Sequence, residues 1–564
     1  MKPGSVVVAL IAVVAVVVLI IAGGSDDDGG SAGVAHQVRA EVNPPAGAVV
    51  VPFTYSPEKQ ELLEPLIREF NQKRVEVGGA PVFIQGAVVA SGEAERKIAA
   101  GALKPVAWSP ASTLWGRLLD HEAGREITPY EGPSIVRTPL VIAMWEPMAR
   151  ALGWPQKQIG FSDILGLARA SDGWASVGHP EFGDFKLVHT NPDFSTSGLE
   201  AVVAEYYAAI GKQQGLGESD IAAARQTVRD LERSIVHYGD TTLFVADQMR
   251  KEGPSYASAV AMEEVTLLDF NENRGDQPKL VAIYPKEGTF FSDNPFFILN
   301  GGWVTHQQRA GARAFQSFLT ERITPQVAAE HGFRPADLTK RPVDPITPEN
   351  GVDPSQPQAR LEVPFPRVLA ALREAWRQDR KPANVMLVVQ RSGSMHDLHR
   401  LDRAKKGVAA FLEQLQPDDR VGLTAFNDRV REMVPIGPLG QNRARIEQAV
   451  AGLVPKGGSA LLDATSQAFH SVANGAATDH INSIVVLTDG DDRDSALTLD
   501  DVTKELSDQE NSATKVRVFT VGYSPEAAGA VEALKAIAEA SGGQYYEGGA
   551  ENAELLSSSI SSFF

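Results

Sequence analysis

The chain contains no cysteine. Disulfides, thiolate metal ligands, catalytic cysteines and a lipid anchor on a modified cysteine are therefore excluded. Basic residues are also scarce, because 53 Lys and Arg stand against 71 Asp and Glu, which gives a net charge of −18. Since nucleic-acid phosphates are bound by basic faces, this balance argues against nucleic acid as the main partner.

Several catalytic motifs are absent as well. The sequence has no Walker A loop and no HExxH. Two short patterns, Ser56-Pro57-Glu58-Lys59 and Ser292-Asp293-Asn294, match the S-x-x-K and S-D-N elements of penicillin-binding enzymes. The third element of those enzymes, K-T-G, is missing. A serine penicillin-interacting enzyme is therefore a distant alternative, and we expect no catalysis.

Long apolar runs are limited to one, at the N-terminus. Val6–Ala22 is an unbroken apolar run of 17 residues, which at about 1.5 Å per residue nearly spans a bilayer core of about 30 Å. Lys2 precedes the run and acidic residues follow it, so residues 1–24 are predicted to be a transmembrane anchor with a cytoplasmic N-terminus and the bulk of the chain extracytoplasmic. A cleaved signal peptide, which makes the protein secreted, stays open as an alternative.

The remaining chain is too long for one hydrophobic core. Residues 25–45 are rich in Gly, Ser and Asp and read as a flexible tether. Residues 336–380 combine recurrent prolines with a short amphipathic helix, which predicts a linker. Two globular domains are then expected, at 46–335 and 381–564. Both alternate strand-like and helix-like segments, so the predicted fold class is α/β.

Hydroxyl residues follow three predicted strands of the first domain, in "TYSPEK" from Thr54, "WSPAS" from Trp108 and "TNPDFSTSG" from Thr190. Hydroxyls beside the free N–H groups of a helix start can bind an anion or a polar solute. Simple helix capping is the alternative for each turn. We take as candidate ligand-binding residues Thr54, Ser56, Trp108, Ser109, Ser195, Thr196 and Ser197.

Longer stretches of this domain, among them "HPEFGDFKLVHTNPDFSTSGLEA" and "YPKEGTFFSDNPF", resemble bacterial extracellular solute-binding proteins. The resemblance implies a two-lobed, periplasmic-binding-protein-like fold with a cleft between the lobes. It also implies crossing strands near Arg137–Met144 and Val281–Phe297. A small polar or anionic solute is the expected ligand.

The second domain reads as a doubly wound, Rossmann-like sheet. Ligands of such sheets bind beyond the carboxyl ends of the strands, where the loops "QRSGSM", "KGGSALLDA" and "LTDGDD" are expected. These motifs resemble the von Willebrand factor type A domain and its metal-ion-dependent adhesion site. By that resemblance the metal ligands are Ser392, Ser394, Ser459 and Asp489.

Gln390 stands where the resemblance expects the first aspartate of the metal site. A glutamine carries no charge, and Mg²⁺ prefers hard, charged oxygen ligands. The site is therefore degenerate, and Mg²⁺ or Mn²⁺ binding is expected to be weak or absent, unless Asp463, Asp491 or Asp492 compensates.

Together these features predict a membrane-anchored, extracytoplasmic recognition protein. A solute would bind in the interlobe cleft, and an unknown protein partner would bind the type A domain. The alternative is a solute receptor of an ABC-type uptake system.

Overall fold

The computed structural model describes residues 44–129, 132–509, 514–525 and 529–548. The predicted anchor and most of the predicted tether lie outside these residues. Among the described residues, no helix is both long and apolar enough to cross a membrane.

The first part of the chain forms alternating strands and helices, as the sequence predicts. The elements up to residue 129 are β1 (Val49–Tyr55), α1 (Gln60–Lys73), β2 (Glu76–Val77), β3 (Ala80–Val88), α2 (Ser91–Ala99), β4 (Ala107–Ser109) and α3 (Thr113–Ala123). From residue 136 to 272 follow β5 (Val136–Trp145), α4 (Glu146–Ala151), α5 (Phe161–Arg169), β6 (Leu187–Thr190), α6 (Thr196–Ile210), α7 (Glu218–Glu232), β7 (Ile235–Gly239), α8 (Thr242–Glu252), β8 (Ala259–Glu263) and α9 (Glu264–Glu272). The region ends with β9 (Leu280–Ile283), β10 (Phe291–Ser292), β11 (Phe297–Ile298), α10 (His306–Arg322), α11 (Pro325–Glu330) and β12 (Arg334–Pro335).

These elements build two sheets, and each sheet is the centre of one lobe. The sheet of the first lobe has the order β11-β4-β1-β3-β2. The sheet of the second lobe has the order β10-β5-β8-β6-β7, and β9 and β12 also pair with β5. Strand β5 coincides with the first predicted crossing, and the segment from β9 to β11 with the second. The chain therefore passes between the lobes where the resemblance implied.

The proline-rich segment that was predicted as a linker lies along the second lobe. Arg334 donates to the carbonyls of Asp353 and Gln356, and Ala282 donates from its backbone to Gly351 at 2.8 Å. Ile346 and Val352 are buried. The segment then enters α12 (Pro366–Asp379).

Helix α12 contacts both lobes. Arg373 pairs with Glu122 of α3 at 3.0 Å and with Asp193 at 3.1 Å, and Asp193 follows β6 of the second lobe. Arg377 pairs with the same Asp193 at 2.7 Å. The helix that leads to the second domain is thus fixed by charge to both sides of the cleft.

The second domain is a doubly wound sheet. Its elements are β13 (Ala383–Gln390), α13 (Arg400–Glu413), β14 (Arg420–Phe426), β15 (Val430–Pro438), α14 (Leu439–Ala451), α15 (Leu461–Asn474), β16 (Ile481–Thr488), α16 (Leu499–Ser507), β17 (Val516–Gly522), α17 (Ala530–Ala540) and β18 (Tyr545–Glu547). The strand order is β15-β14-β13-β16-β17-β18, and only β15 pairs antiparallel. Every residue of β13 is buried, as expected of a strand with helices on both faces.

The amino ends of these strands face the second lobe. Arg517, near the start of β17, donates to the carbonyl of Val236 at 2.9 Å, and Lys515 pairs with Glu252 at 2.5 Å. The carboxyl ends, where the predicted metal site lies, are at the opposite end of the sheet.

Candidate functional site

Hydroxyl-bearing turns from both lobes meet at one small cavity. Its volume is about 20 Å³, which leaves room for about one water molecule. Of the candidate ligand-binding residues, Ser56, Ser195 and Thr196 line it. The lobes are therefore closed on each other, and a larger solute requires them to separate.

The remaining candidate residues lie behind the cavity wall. Trp108 is buried against Phe297, with ring centroids 6.2 Å apart. Ser197 binds the hydroxyl of Thr190 at 2.8 Å. Thr54 and Ser109 are also buried. These four side chains are not among the residues that line the cavity.

The hydroxyls at the cavity do not serve as helix caps. Ser56 and Ser195 both stand at N-cap positions, yet neither side chain accepts a capping hydrogen bond. Ser56 instead bonds to Lys59 and Glu58, and Ser195 to Ser197 at 3.2 Å. The capping alternative therefore does not account for these hydroxyls.

Sequence reasoning missed the acidic character of the cavity. Its lining includes Glu58, Asp240 and Glu263. Burial, reinforced by the charge of Glu58, raises the pKa of Glu263 to about 7. Burial also raises the pKa of Asp240 to about 6. For Asp240 the sequence signal was "YGDTT", in which an acid and two hydroxyl residues directly follow the end of β7.

Lys59 is the basic residue next to these acids, and it is fully buried. Its ammonium donates to Asn294 Oδ1 at 2.7 Å, to Glu58 Oε1 at 3.1 Å and to the hydroxyl of Ser56. The S-x-x-K and S-D-N patterns thus meet in space. Because all three ammonium donors have acceptors, the contacts fit a protonated lysine, although burial lowers its pKa.

Direct contacts hold the lobes together at the cavity. Trp115 Nε1 of the first lobe donates to Thr196 Oγ1 of the second at 2.8 Å. The backbone N–H of Gly92 donates to the carbonyl of Phe194 at 2.9 Å. A β-carbon at Gly92 would lie 2.5 Å from the carbonyl oxygen of Asp193, so this close approach requires glycine.

The side chain of Gln390 lies among the predicted metal ligands of the second domain. Its amide nitrogen donates to Ser392 Oγ at 2.7 Å and to Ser459 Oγ at 3.1 Å. Its amide oxygen accepts from Thr488 Oγ1 and, at 2.9 Å, from the backbone N–H of Asp489. Ser394 completes the network at 2.8 Å from Ser392 Oγ. The sequence-predicted residues do meet here, but they bond to one another.

Asp489 is the one carboxylate among the predicted ligands. Its Oδ1 accepts from the N–H of Asp491 at 3.2 Å, and its Oδ2 lies 3.9 Å from Arg400 Nη1. The guanidinium of Arg400 therefore brings a positive charge close to this carboxylate. The sequence signal for Arg400 was weak, because it lies outside all three motifs.

The neighbouring acids are engaged elsewhere. Asp492 accepts from the N–H of Leu461 at 2.7 Å, Asp463 accepts from Ala496 at 3.0 Å, and Asp491 pairs with Arg493 at 2.8 Å. None of these bonds brings a second charge to the Gln390 network. The network therefore contains one carboxylate, that of Asp489, and two of its hydroxyls, those of Ser392 and Ser459, accept from the amide of Gln390.

Fold and cleft together define a class, the two-lobed binding proteins, here with an appended doubly wound domain. The family described as bacterial extracellular solute-binding protein matches residues 52–334, about half of the chain. The family described as von Willebrand factor type A domain matches residues 384–558. The chain belongs to the bacterial extracellular solute-binding proteins and carries a von Willebrand factor type A domain.

An uncharacterized protein of Mycobacterium tuberculosis is 25% identical to this chain over 463 residues. The match covers 78% of this chain and 65% of the relative, so this chain spans less than two thirds of the relative's length. The structure of the M. tuberculosis sulfate-binding protein covers 55% of this chain and 93% of its own, at 17% identity and a TM-score of 0.37. A von Willebrand factor type A structure from Catenulispora acidiphila covers 29% of this chain and 38% of its own, at 22% identity and a TM-score of 0.25.

Proposed function

We propose that this chain is an extracytoplasmic, membrane-anchored recognition protein that binds a small solute between its lobes and a protein partner at its type A domain. The observation that carries the solute proposal is the cleft cavity. Acidic side chains and hydroxyls that cap no helix meet there from both lobes. Sites of this kind, at the boundary between two lobes and with a few convergent polar groups, are where small ligands bind.

The charges at the cavity favour a solute with a cationic group. Glu58, Asp240 and Glu263 line it, whereas Lys59 already has three acceptors. The start of α6 offers the opposite polarity, because free N–H groups at a helix N-terminus attract negative or hydroxyl groups. A polar molecule that carries both an ammonium and an oxygen-rich group therefore fits the lining of the cavity better than a dianion does.

A thermal-shift panel on the full chain tests the solute proposal. The probes are spermidine, glycine betaine and arginine on one side and sulfate and phosphate on the other. We expect stabilisation by a cationic probe, and loss of that stabilisation in Glu263→Gln. Glu126→Gln, an exposed acid of the first lobe, is the matched control. Stabilisation by sulfate or phosphate alone would contradict the cationic preference.

The proposed partner site at the type A domain works without a cation. Support comes from the Gln390 network and from Arg400 beside Asp489. The carboxyl edge of the sheet points away from the second lobe, and the loop before α13 exposes Leu398 there. Calorimetric titration of Mg²⁺ and Mn²⁺ at millimolar concentrations should give the same heats with the full chain and with its Asp489→Asn variant. Binding with a defined stoichiometry that Asp489→Asn abolishes would refute a metal-free site.

Two other functions remain as alternatives. A receptor of an ABC-type uptake system would use the same cleft, and loss of solute uptake on deletion of residues 46–335 alone would favour it. A serine acyl-transfer enzyme is favoured by one observation, the approach of Lys59 to Ser56 and Asn294. Ser56 donates to Glu58, and Lys59 donates to Ser56 instead of accepting its proton, so the lysine is not placed as the base that these enzymes need. Labelling of Ser56 by a fluorescent penicillin would establish the enzyme.

A further inference from the structure

Three ionisable side chains meet inside the second lobe, apart from the cleft cavity. His189 lies on β6, Glu205 on α6, and Glu232 is the last residue of α7. Their exposed fractions are 0%, 2% and 1%. Each offers one ligand atom, and these three atoms lie within 4.8 Å of one another. Neither the solute proposal nor the partner proposal uses these residues.

Hydrogen bonds orient two of the three side chains as ligands. His189 Nδ1 lies 2.7 Å from the carbonyl oxygen of Thr190. Since a carbonyl only accepts, Nδ1 carries the proton, and Nε2 faces Glu232 Oε1 at 3.1 Å. The hydroxyl of Tyr238 donates to the other oxygen of Glu232. Imidazoles that ligate metals are commonly held in this way, by a bond from the second ring nitrogen to a carbonyl.

Glu205 is left without such support. Its Oε2 has no hydrogen-bond partner within the described part of the chain, although the residue is buried. Burial and the nearby charge of Glu232 raise the pKa of Glu205 well above its usual value. A buried polar atom without a partner is costly. The cluster therefore requires either a shared proton or a cation.

We propose that His189, Glu205 and Glu232 bind one divalent transition-metal ion, of the Zn²⁺ or Mn²⁺ class, as a structural centre of the second lobe. A neutral imidazole with two carboxylates is a ligand set that suits these borderline cations, whereas Ca²⁺ and Mg²⁺ prefer oxygen alone. Two positive charges balance the two carboxylates, so the occupied site is neutral. The cation also gives Glu205 Oε2 the partner that it lacks.

The position of this centre connects it to the junction of the two domains. The hydroxyl of Tyr238, which holds Glu232, also accepts from the backbone N–H of Lys381 at 3.1 Å. The ring of Tyr238 packs edge-on against Trp376 of α12, with centroids 5.4 Å apart. A metal at the cluster therefore stabilises the point where the chain leaves α12 for β13.

Metal analysis of the full chain tests the proposal. The protein is unfolded in denaturant with a chelator, refolded with Zn²⁺ or Mn²⁺, and dialysed before elemental analysis. We expect a stoichiometric amount of metal, and its loss in Glu205→Gln, which keeps the side-chain volume. Glu95→Gln is the matched control, because Glu95 is also a buried glutamate whose pKa is raised by burial, but it lies outside the cluster, on α2. This control should keep the metal.

A second readout avoids dependence on one variant. Refolding of the unmodified chain with Co²⁺ should produce the visible absorption bands of a low-coordinate site, and chelation during refolding should lower the melting temperature. The proposal is wrong if the unmodified chain retains no more metal than Glu205→Gln, shows no cobalt bands and melts at the same temperature with and without chelator. A shared proton then fills the cluster.

Discussion

The side-chain amide of Gln390 donates to the hydroxyl of Ser392 at 2.7 Å. By resemblance Gln390 stands in the place of a carboxylate, and Ser392 in the place of a ligand hydroxyl. Both groups are buried. The amide N–H groups therefore occupy hydroxyl lone pairs that a cation would otherwise use, and they do so without adding charge. This hydrogen bond holds the turn between Gln390 and Ser394 in place without a metal ion.

Gln390→Asp should exchange this hydrogen-bond network for a metal site. Without a cation, the shorter acid loses the donors to Ser392 and Ser459 and lies near Asp489, so we expect destabilisation of about 1–3 kcal/mol. Added Mg²⁺ or Mn²⁺ should restore the stability, as a ligand that binds only the folded state does. Chemical denaturation with and without the cation measures both effects.

The double variant Gln390→Asp, Asp489→Asn is the control, because it has the same number of carboxylates as the natural chain. It should not respond to the cation. Equal rescue of the single and the double variant would mean that the cation acts elsewhere.

The sequence predicted the elements better than the contacts between them. Strand β13 was recognisable because a buried parallel strand is a continuous apolar run. The turns at Ser56 and Ser195 were recognisable because hydroxyls follow strands. Asp240 and Glu263 were missed because their place in the cavity depends on how the two lobes close. No local pattern indicates that closure.

Contacts across long separations in the chain account for the other differences. Lys59 meets Asn294 across 235 positions, whereas on sequence alone these two short patterns supported only a distant alternative. Trp108 was a candidate ligand-binding residue, yet its ring packs against Phe297. An aromatic residue after a strand can face either a ligand or the core, and only the position of β11 decides between them.

Gly92→Ala should hold the cleft open. The added methyl group would lie 2.5 Å from the carbonyl oxygen of Asp193 and 2.9 Å from the α-carbon of Phe194. Backbone atoms of the second lobe do not move aside independently, so the lobes must separate. Small-angle X-ray scattering should show a larger radius of gyration for this variant. Gly166→Ala is the control, because a β-carbon there meets nothing within 4 Å; an equal increase in that variant would rule out the cleft as the cause.

Glu263→Gln should stabilise the protein in alkaline but not in acidic solution. The folded-state pKa of Glu263 is raised to about 7, whereas an unfolded glutamate titrates near about 4.3. An acid with a raised pKa costs no stability below the unfolded value, and the full penalty is present above the folded value. We expect a gain of about 4 kcal/mol at pH 8 and none at pH 4. Denaturation curves at the two pH values measure it, and an equal gain at both would show that the charge of Glu263 is not responsible.

Asp193 should give the opposite pH dependence, between about pH 4 and pH 2. Burial tends to raise its pKa, but Arg373 and Arg377 outweigh burial and lower it to about 2. An acid with a depressed pKa contributes stability above its unfolded value, and this contribution is lost as the pH falls through the folded value. We expect the natural chain to lose about 2 kcal/mol across this range through Asp193.

Asp193→Asn should be less stable than the natural chain at pH 5, and the difference should shrink towards pH 2. The reason is that the variant keeps the two arginines of α12 beside a neutral group at every pH, whereas the natural chain reaches that state only in acid. Urea denaturation of both proteins from pH 5 to pH 2 measures the difference. If the difference in stability is the same at every pH, the loss in Asp193→Asn comes from the changed packing of the side chain. It then does not come from the charge of Asp193, which pairs with α12.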